Sequence, residues 1–590
     1  MSNRNRKRGT VYDTGAVANM LFSNLLRDFR ISEGNSFLSG YNTYLLTDIK
    51  SFRALPERQV GNIPVGRFKR IKQMEALLKK FRYRSDAFTD DELSAKTLEN
   101  FLDEQVRLHS PMPLRITGHA VLCEARKIVR SILGEYPGDE VINNMRFGKK
   151  SSIGCPFSLA YIDNKLSMEA AFTGTKPSSE FFLSQVLPGD AILQKILSKH
   201  DLSVNKKELT MNYLNLVEVP KTWKAYRLIT PLTLLGLFFS YGIGRVVAAR
   251  LRAAGLDIAK LQSIHRYLVK GFSKSCSHAT ADLSAASDSI TSELLNRLLP
   301  REWYNALKKT FVRNLNINGT MYSTASVLPM GNGATFPVET LVFYCIISAI
   351  GRLSKTKGIY SVYGDDLIYP SKLHKYVVAV FPQLHLKLNQ EKTFVNYPFR
   401  ESCGSDFYRG QDVRPYFLKG DAQYLTRVRY EAFLYKVYNG LTARWHPEEI
   451  RGTLTWILSE LTMASSKQGI LRIPPSFPDF SGVKVDCIER FPLSYSHLPW
   501  APICASFIRG TRQFQFDFLT ETPKARVVMT QMPYYWLALQ GLHDEVEDTY
   551  KSIFTAKENK QALFRSTKEA KASSLRWKRT RKPDKVYYKQ

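Results

Sequence analysis

Acidic residues are in short supply in this chain: 53 Asp and Glu stand against 84 Lys and Arg, for a formal net charge of +31 over 590 residues. Such an imbalance predicts a polyanionic partner, either nucleic acid or an acidic membrane surface. Long hydrophobic runs are also lacking. The longest apolar stretch, Leu228 to Gly244, is interrupted by Pro231, Gly236 and Gly242. It falls short of the roughly 20 residues that span a bilayer, which speaks against a membrane partner. No apolar segment follows the basic start Arg4-Asn5-Arg6-Lys7-Arg8, so a basic arm is expected there and not a secretory signal. The seven cysteines form no CxxC pair and have no His at zinc spacing. They read as reduced thiols of a cytosolic protein. No internal repeat or low-complexity tract precedes residue 556. The remaining composition, 44% hydrophobic and 23% charged, is that of a folded protein. Its length is too great for one compact core and suits about three or four subdomains.

Helical periodicity recurs along the chain. Val17, Met20, Leu21, Leu25 and Phe29 share one helix face, as do Phe68, Ile71, Met74, Leu77, Leu78 and Phe81. Thr89 to Glu92 forms a capping box that opens a helix through about Val106. Further helices fit Val121 to Leu133 and, broken near Pro447, Tyr430 to Ser466. The last section, from Lys557, is dense in Lys and Arg. There Arg576, Lys578, Arg579, Arg581 and Lys582 interleave with Trp577, which predicts an RNA-binding tail.

The most informative stretch runs from Ser361 to Tyr369. β-branched and aromatic residues flank Gly364, which predicts a β-hairpin carrying Asp365 and Asp366 at its tip. Adjacent carboxylates repel unless a cation lies between them or one stays protonated. Hard divalent ions such as Mg2+ accept oxygen ligands of this kind. Taken alone, a Gly-Asp-Asp turn is equally well a solvated one. His278 to Leu283 reads as a short buried strand ending on Asp282, either a turn cap or a third carboxylate for the same site. From Val217 to Pro231, Lys221, Lys224 and Arg227 recur every third residue. They suit a triphosphate clamp or a solvated basic loop. Pro329 to Thr335 is a Gly-rich loop whose Gly331 and Gly333 permit close backbone approach. It is not a P-loop, because no Gly-Lys-Ser/Thr follows.

In order, a basic clamp, an Asp-bearing strand, a Gly-Asn-Gly loop, a Gly-Asp-Asp hairpin and a Lys resemble the motif series of viral RNA-dependent RNA polymerases. The resemblance is closest to the replicase subunit of the leviviruses, the single-stranded RNA bacteriophages. It rests on VPK-x-x-K-x-x-R at 219–227, DLSAASDSI at 282–290, MGNG-x-TF at 330–336, YGDD at 363–366, KTF at 392–394 and FRESCG at 399–404. One departure is Thr230, where the family usually has an acidic residue before the Pro.

The resemblance implies an α+β right-hand polymerase with palm, fingers and thumb, its antiparallel palm sheet flanked by helices. The expected division is 1–275 for the N-terminal region and fingers, including the clamp loop 217–231, and 276–420 for the palm, with a fingers insertion near 300–325. Residues 421–555 would form the thumb and C-terminal region, and 556–590 the basic tail. Asp282 and Asp365 would ligate two Mg2+ ions, or Mn2+ in their place, with Asp366 assisting. Asp288 and Asn332, beside Gly331, would face the incoming ribose and read its 2′-hydroxyl. Lys221, Lys224 and Arg227 would hold the triphosphate, and Lys392 would protonate the leaving pyrophosphate. The implied partners are template and product RNA, ribonucleoside triphosphates and the host elongation factors Tu and Ts, in the cytoplasm of an infected bacterium. Two alternatives stand beside this reading. A reverse transcriptase would typically carry a bulky aromatic gate shortly after Asp282, where Ser284 to Ser289 is small and polar. A non-catalytic RNA-packaging protein would gain nothing from three carboxylates, which weaken polyanion binding.

Overall fold

A computed structural model describes residues 11–35, 63–82, 90–148, 173–190, 213–222, 225–311 and 313–465, with short pieces between 151 and 194 and between 470 and 485. Lys224, Thr89, the basic start and the tail residues Arg576, Trp577, Lys578, Arg579, Arg581 and Lys582 lie outside the described residues.

Helix α1 (Thr14–Glu33) starts where Asp13 accepts a hydrogen bond from the Gly15 amide at 2.8 Å, an N-cap. It buries Val17, Leu21, Leu25 and Phe29 as their spacing predicts, while Met20 is exposed. Helix α2 (Val65–Leu77) ends earlier than the periodicity through Phe81 suggests. The Leu77 carbonyl accepts from the Leu418 amide at 2.8 Å, and the chain turns into a strand, Lys80–Arg82, paired in parallel with Lys419–Asp421. Phe81 reaches the core through that strand. Spacing alone does not separate the two routes, because both place Phe81 against the same core. Helices α3 (Asp90–His109) and α4 (Ile116–Leu133) follow. The clamp stretch is an antiparallel hairpin, β1 (Val217–Thr222) and β2 (Ala225–Ile229), with a register irregularity at Lys221.

Helix α5 (Leu234–Ala253) overturns the expectation that glycines break the apolar run. Its glycines are places of close packing. A Cβ on Gly242 would lie 2.6 Å from the Val141 carbonyl oxygen, and one on Gly244 would lie 2.5 Å from that of Gly333. Contacts of that kind offset the roughly 1 kcal/mol that a helical Gly costs. Helix α6 (Ile258–Ser275) leads into β3 (His278–Asp282), and α7 (Thr335–Leu353) leads into β4 (Ser361–Tyr363) and β5 (Asp366–Pro370). A meander of β6 (Phe399–Ser402), β7 (Ser405–Tyr408) and β8 (Gln411–Asp412) precedes helices α8 (Arg427–Thr442) and α9 (Arg451–Ala464).

The central sheet is antiparallel, in the order β3-β5-β4, and helices cover it, which makes this an α+β arrangement. Its core combines Ala279, Ala281, Val362, Leu367 and Tyr369 with residues of α4, α5 and α7. A second core joins α1 to α8 and α9. There Val11–Asp13 pairs with Tyr424–Thr426, and the Thr14 hydroxyl donates to the Asp421 carbonyl at 2.8 Å. The N-terminal helix thus packs with the C-terminal helices, although the sequence groups it with the region that follows it. Helices α5 and α7 are each long and apolar enough to cross a membrane. Each is 72% buried inside the protein, so their hydropathy is that of core helices. Cys123, Cys155, Cys276, Cys345 and Cys403 are free thiols.

Candidate active site

The hairpin β4–β5 turns through Gly364 and Asp365. Gly364 has φ +61, the left-handed value that a two-residue hairpin turn requires at this position. Phe336 of α7 leaves no room for a side chain there, since a Cβ would lie 2.5 Å from its ring. The Gly364 amide donates to the Thr340 hydroxyl at 3.0 Å, and the Phe336 ring meets Tyr363 edge-on at 4.7 Å. The first turns of α7 therefore seat the hairpin.

Pairing of β3 with β5 places Asp282 directly opposite Asp366. Side chains opposed in this way have Cβ atoms about 5 Å apart. Asp282 is 9% exposed, while Asp365 stands at the exposed tip. Burial, then the charge of Asp282, raises the pKa of Asp365 above the usual carboxylate range. Burial, then the charge of Asp365, pushes Asp366 up to about 7, although the Cys403 amide, donating to its Oδ2 at 3.0 Å, pulls the other way. The three carboxylates expected from the sequence are thus brought together, and Asp365 and Asp366 are electrostatically frustrated.

Lys392 forms an ion pair with Asp282. Its Nζ lies 2.8 Å from Asp282 Oδ2. Residues 388–394 run along the outer edge of β3, with the Asn389 amide donating to the Asp282 carbonyl at 2.9 Å and the Phe394 amide to that of Thr280 at 2.8 Å. Burial lowers the Lys392 pKa, but its hydrogen bond to Asp282 and the surrounding carboxylates more than offset this and leave it above the ordinary value. Lys221 sits at the irregularity of β1, where a bulge re-aims a side chain. Burial, then the charges of Arg227 and Lys392, lowers its pKa, while Asp282 and Asp365 oppose them. Of the basic residues on this hairpin, Lys221 thus interacts electrostatically with Asp282 and Asp365.

The loop before α7 is anchored on both sides. Gly331 has φ +119, and a Cβ there would lie 3.1 Å from the Thr230 carbonyl oxygen. The Thr230 amide donates to the Met330 carbonyl at 3.3 Å, and the Gly333 amide to the Ser240 hydroxyl of α5 at 3.0 Å. Asn332, 4% exposed, spends its Oδ1 on the Ala334 amide at 2.8 Å, and its Nδ2 has no hydrogen-bond partner among the described residues. A buried donor left free costs about 1–3 kcal/mol unless water or a ligand answers it. Burial, then the charge of Glu104, pushes Asp288 up to about 6, with Lys221 opposing.

Three participants escape sequence reasoning. Glu339 of α7, 6% exposed, has its pKa raised well above the ordinary range by burial, then by Asp365 and Asp288. Its position three residues after Phe336, on the helix face that seats the hairpin, is the one signal for it. Asn389 donates from Nδ2 to Asp282 Oδ2 at 3.3 Å. The Cys403 contact is made by a backbone amide, which no residue type can announce.

Among the described residues, no three acidic, His or Cys side chains are already drawn round one point as a cation cage. Lys392 and Asn389 hold Asp282, and Cys403 holds Asp366. The donor set nonetheless fits a hard divalent ion. Three carboxylates lie on one hairpin and the adjacent strand, and the like charges that raise Asp365 and Asp366 are what such an ion would relieve.

The model of the family described as RNA replicase, beta-chain, matches residues 87–448. Over 306 residues the chain is 34% identical to the RNA-directed RNA polymerase subunit beta of Qbeta virus (strain MX1), covering 50% of this chain and 48% of that protein. It is 37% identical over 310 residues to the corresponding subunit of Enterobacteria phage SP, 51% of each chain. Over 201 residues it is 36% identical to the beta chain of Escherichia phage MS2, covering 34% of this chain and 37% of that one. The chain thus spans about half the length, or less, of these relatives. Among solved structures, it is similar to the RNA-dependent RNA polymerase of a human picorbirnavirus, with a TM-score of 0.40 and 13% identity over 78% of this chain and 85% of that one. With 362 of its residues inside the family's span, 87 to 448, the chain belongs to the RNA replicase beta-chain family.

Proposed function

We propose that this chain copies RNA from an RNA template by nucleotidyl transfer from ribonucleoside triphosphates, in the cytoplasm of an infected bacterium. The observation that carries this reading is the pairing of Asp282 opposite Asp366, with Lys392 and Lys221 directed at the same carboxylates. Asp282 and Asp365, with Asp366, would hold two Mg2+ ions or Mn2+ in their place. Such ions, when bound, lower the pKa of an attacking hydroxyl and neutralise charge on the transferring phosphate. Lys221 and Arg227, with Lys224 outside the described residues, would bind the triphosphate; the electrostatic coupling of Lys221 with Arg227, Asp282 and Asp365 supports that role. The primer 3′-oxygen would form its bond to the α-phosphorus as the bond to pyrophosphate breaks. Lys392, kept protonated by Asp282, would supply the proton to the departing pyrophosphate. Asp288 and Asn332 would read the 2′-hydroxyl; the unpaired Asn332 Nδ2 supports this. The backbone bond between Thr230 and Met330 would couple the clamp to that loop.

On this reading the palm is 276–420 and the thumb 421–555, with α1 contributing to the thumb's core. The segment 556–590, including Arg576, Trp577, Lys578, Arg579, Arg581 and Lys582, would bind RNA, and host elongation factors Tu and Ts would join the assembly. The deciding experiment incubates the purified chain with RNA template, labelled ribonucleotides and Mg2+, with and without bacterial lysate. Template-dependent incorporation in either arm supports the reading. None in both overturns it.

A further inference from the structure

His265 lies on α6, on the face that also buries Leu261 and Val269. It is 0% exposed, in a core that offers no need for a polar ring. Its two nitrogens are nevertheless fully used. Nε2 is 2.9 Å from the Ser361 hydroxyl, at the start of β4, and Nδ1 is 2.8 Å from the Ser402 hydroxyl, at the end of β6. The ring also meets Tyr363 edge-on, with centroids 6.3 Å apart. Tyr363 and Ser361 belong to the strand that enters the Gly-Asp-Asp turn. Ser402 belongs to a different sheet and immediately precedes Cys403.

Cys403 and Gly404 form the two-residue turn between β6 and β7, with φ +50 and +72. A left-handed Cys is uncommon and costs about 1 kcal/mol or more, so something must hold it. What the turn delivers is the Cys403 amide, 3.0 Å from Asp366 Oδ2. The Cys403 sulfur lies 3.4 Å from His265 Nδ1, and the Ser402 hydroxyl 3.5 Å from that sulfur. A neutral imidazole satisfies both serine contacts. Nδ1–H donates to Ser402, Ser402 donates to the sulfur, and Ser361 donates to Nε2. Burial, which pushes the His265 pKa down to about 4, agrees with the neutral form.

We infer that His265 is a positioning residue for the catalytic carboxylates: by spanning Ser361 and Ser402 it docks the Cys403 turn on the hairpin and so fixes Asp366 through the Cys403 amide. It touches no substrate. Ser273, two turns along the same helix, accepts from the Gly410 amide at 2.8 Å and secures the next turn of the meander, so α6 registers both turns against the palm sheet. The inference rests on the proposed role of Asp366.

The test uses the full chain and four variants: His265→Leu, His265→Gln, Ser402→Ala and, as a packing control on the same helix face, Val269→Ala. Mn2+ binding is measured by electron paramagnetic resonance of the free ion, beside turnover, nucleotide KM and melting temperature. Loss of a group that orients a metal ligand costs about 10- to 100-fold in metal affinity or activity. His265→Leu and Ser402→Ala are expected to weaken Mn2+ binding and turnover by about tenfold or more, with nucleotide KM nearly unchanged. His265→Gln, whose amide still reaches one serine, should recover part of the loss. Val269→Ala should lower the melting temperature and leave Mn2+ binding alone. If His265→Leu fails to fold, Ser402→Ala decides. Mn2+ binding and turnover in Ser402→Ala that match the wild type would make His265 a core side chain only and overturn the inference. A wild-type chain that neither binds Mn2+ nor incorporates nucleotides would instead sink the reading of Asp366 on which it rests.

Discussion

The core that joins α1 to α8 and α9 and the core beneath the central sheet each hold carboxylates, under opposite conditions. In the first, Asp28 is 7% exposed and accepts from the Gly452 amide at 3.2 Å, the Thr453 amide at 2.7 Å and the Thr453 hydroxyl at 2.6 Å. Those groups form the first turn of α9, where free amides and the helix dipole favour an anion. Asp28 caps a helix from across the core, and its charge is answered. In the second, Glu339 is buried, Asp366 half-buried and Asp365 at the exposed tip, and desolvation with the charges of neighbouring carboxylates raises the pKa of each. A satisfied buried carboxylate holds a fold together. An unsatisfied set persists only where something outside the chain completes it.

Substitutions in the two cores should therefore fail in different ways. The largest effect belongs to the central sheet. Asp365→Asn, and separately Asp282→Asn, should lower incorporation by orders of magnitude while RNA binding persists; Asp365→Asn removes repulsion and should melt no lower than the wild type, whereas Asp282→Asn also gives up the ion pair to Lys392. A variant that keeps more than about a tenth of the wild-type rate, a barrier change of only ~1.4 kcal/mol, would break the contrast. Asp28→Ala should do the reverse. Leaving its donors unanswered in a buried place should cost about 2–4 kcal/mol of stability, read as a lower melting temperature. The rate per folded molecule should stay at the wild-type value. A rate that fell with melting unchanged would give Asp28 a functional role it is not assigned.

The same contrast explains what the sequence made legible. Asp282, Asp365, Asp366 and Lys392 could be read in advance because each sits in a short local pattern: a strand end, a hairpin tip, a motif beside the next strand. Their mutual approach follows from one strand pairing. Helix α1 is legible as a helix while its neighbours are not, since nothing local in Thr14 or Asp28 points to Asp421 or Thr453. The Cys403 amide and His265 were invisible for the same reason: each works through a contact set by the docking of a separate sheet. Gly236, Gly242 and Gly244 looked like interruptions because a glycine's value in close packing depends on which backbone lies opposite. Residues 83–89, 224 and 556–590 fall outside the described structure, so the capping box, Lys224 and the tail stand on sequence alone.

A smaller effect concerns sugar choice. If Asp288 and Asn332 hydrogen-bond the 2′-hydroxyl, a deoxynucleotide leaves them unpaired. Asp288→Ala and Asn332→Ala should each narrow the ratio of ribo- to deoxynucleotide incorporation, by about tenfold or more. Competition assays with matched nucleotide pairs measure the ratio directly. An unchanged ratio in both variants would move the reading of the sugar elsewhere.

A last effect sharpens the comparison without any substrate. Asp288 titrates at about 6 in the folded chain, against an ordinary value of 3.8, because burial and then the Glu104 charge disfavour its ionised form. A carboxyl whose pKa is raised by folding binds more protons in the native state, so stability falls as pH rises through the interval between the two values. At pH 4 the group is largely protonated in the folded state and about half so in the unfolded one, and the penalty is small. Above pH 6 it is ionised in both, and the penalty is complete, at most roughly 3 kcal/mol for that displacement. Asp288→Asn removes it. The variant should melt close to the wild type at pH 4, pull above it between pH 4 and 6, and hold a constant lead beyond. Asp28→Asn should show no such lead at any pH, because it replaces one of the two oxygens that accept from Gly452 and Thr453. Melting curves of the two variants, measured across that range without nucleotide or metal, set the two cores against each other. A lead for Asp288→Asn that is flat with pH would mean that its carboxyl is as well answered as that of Asp28.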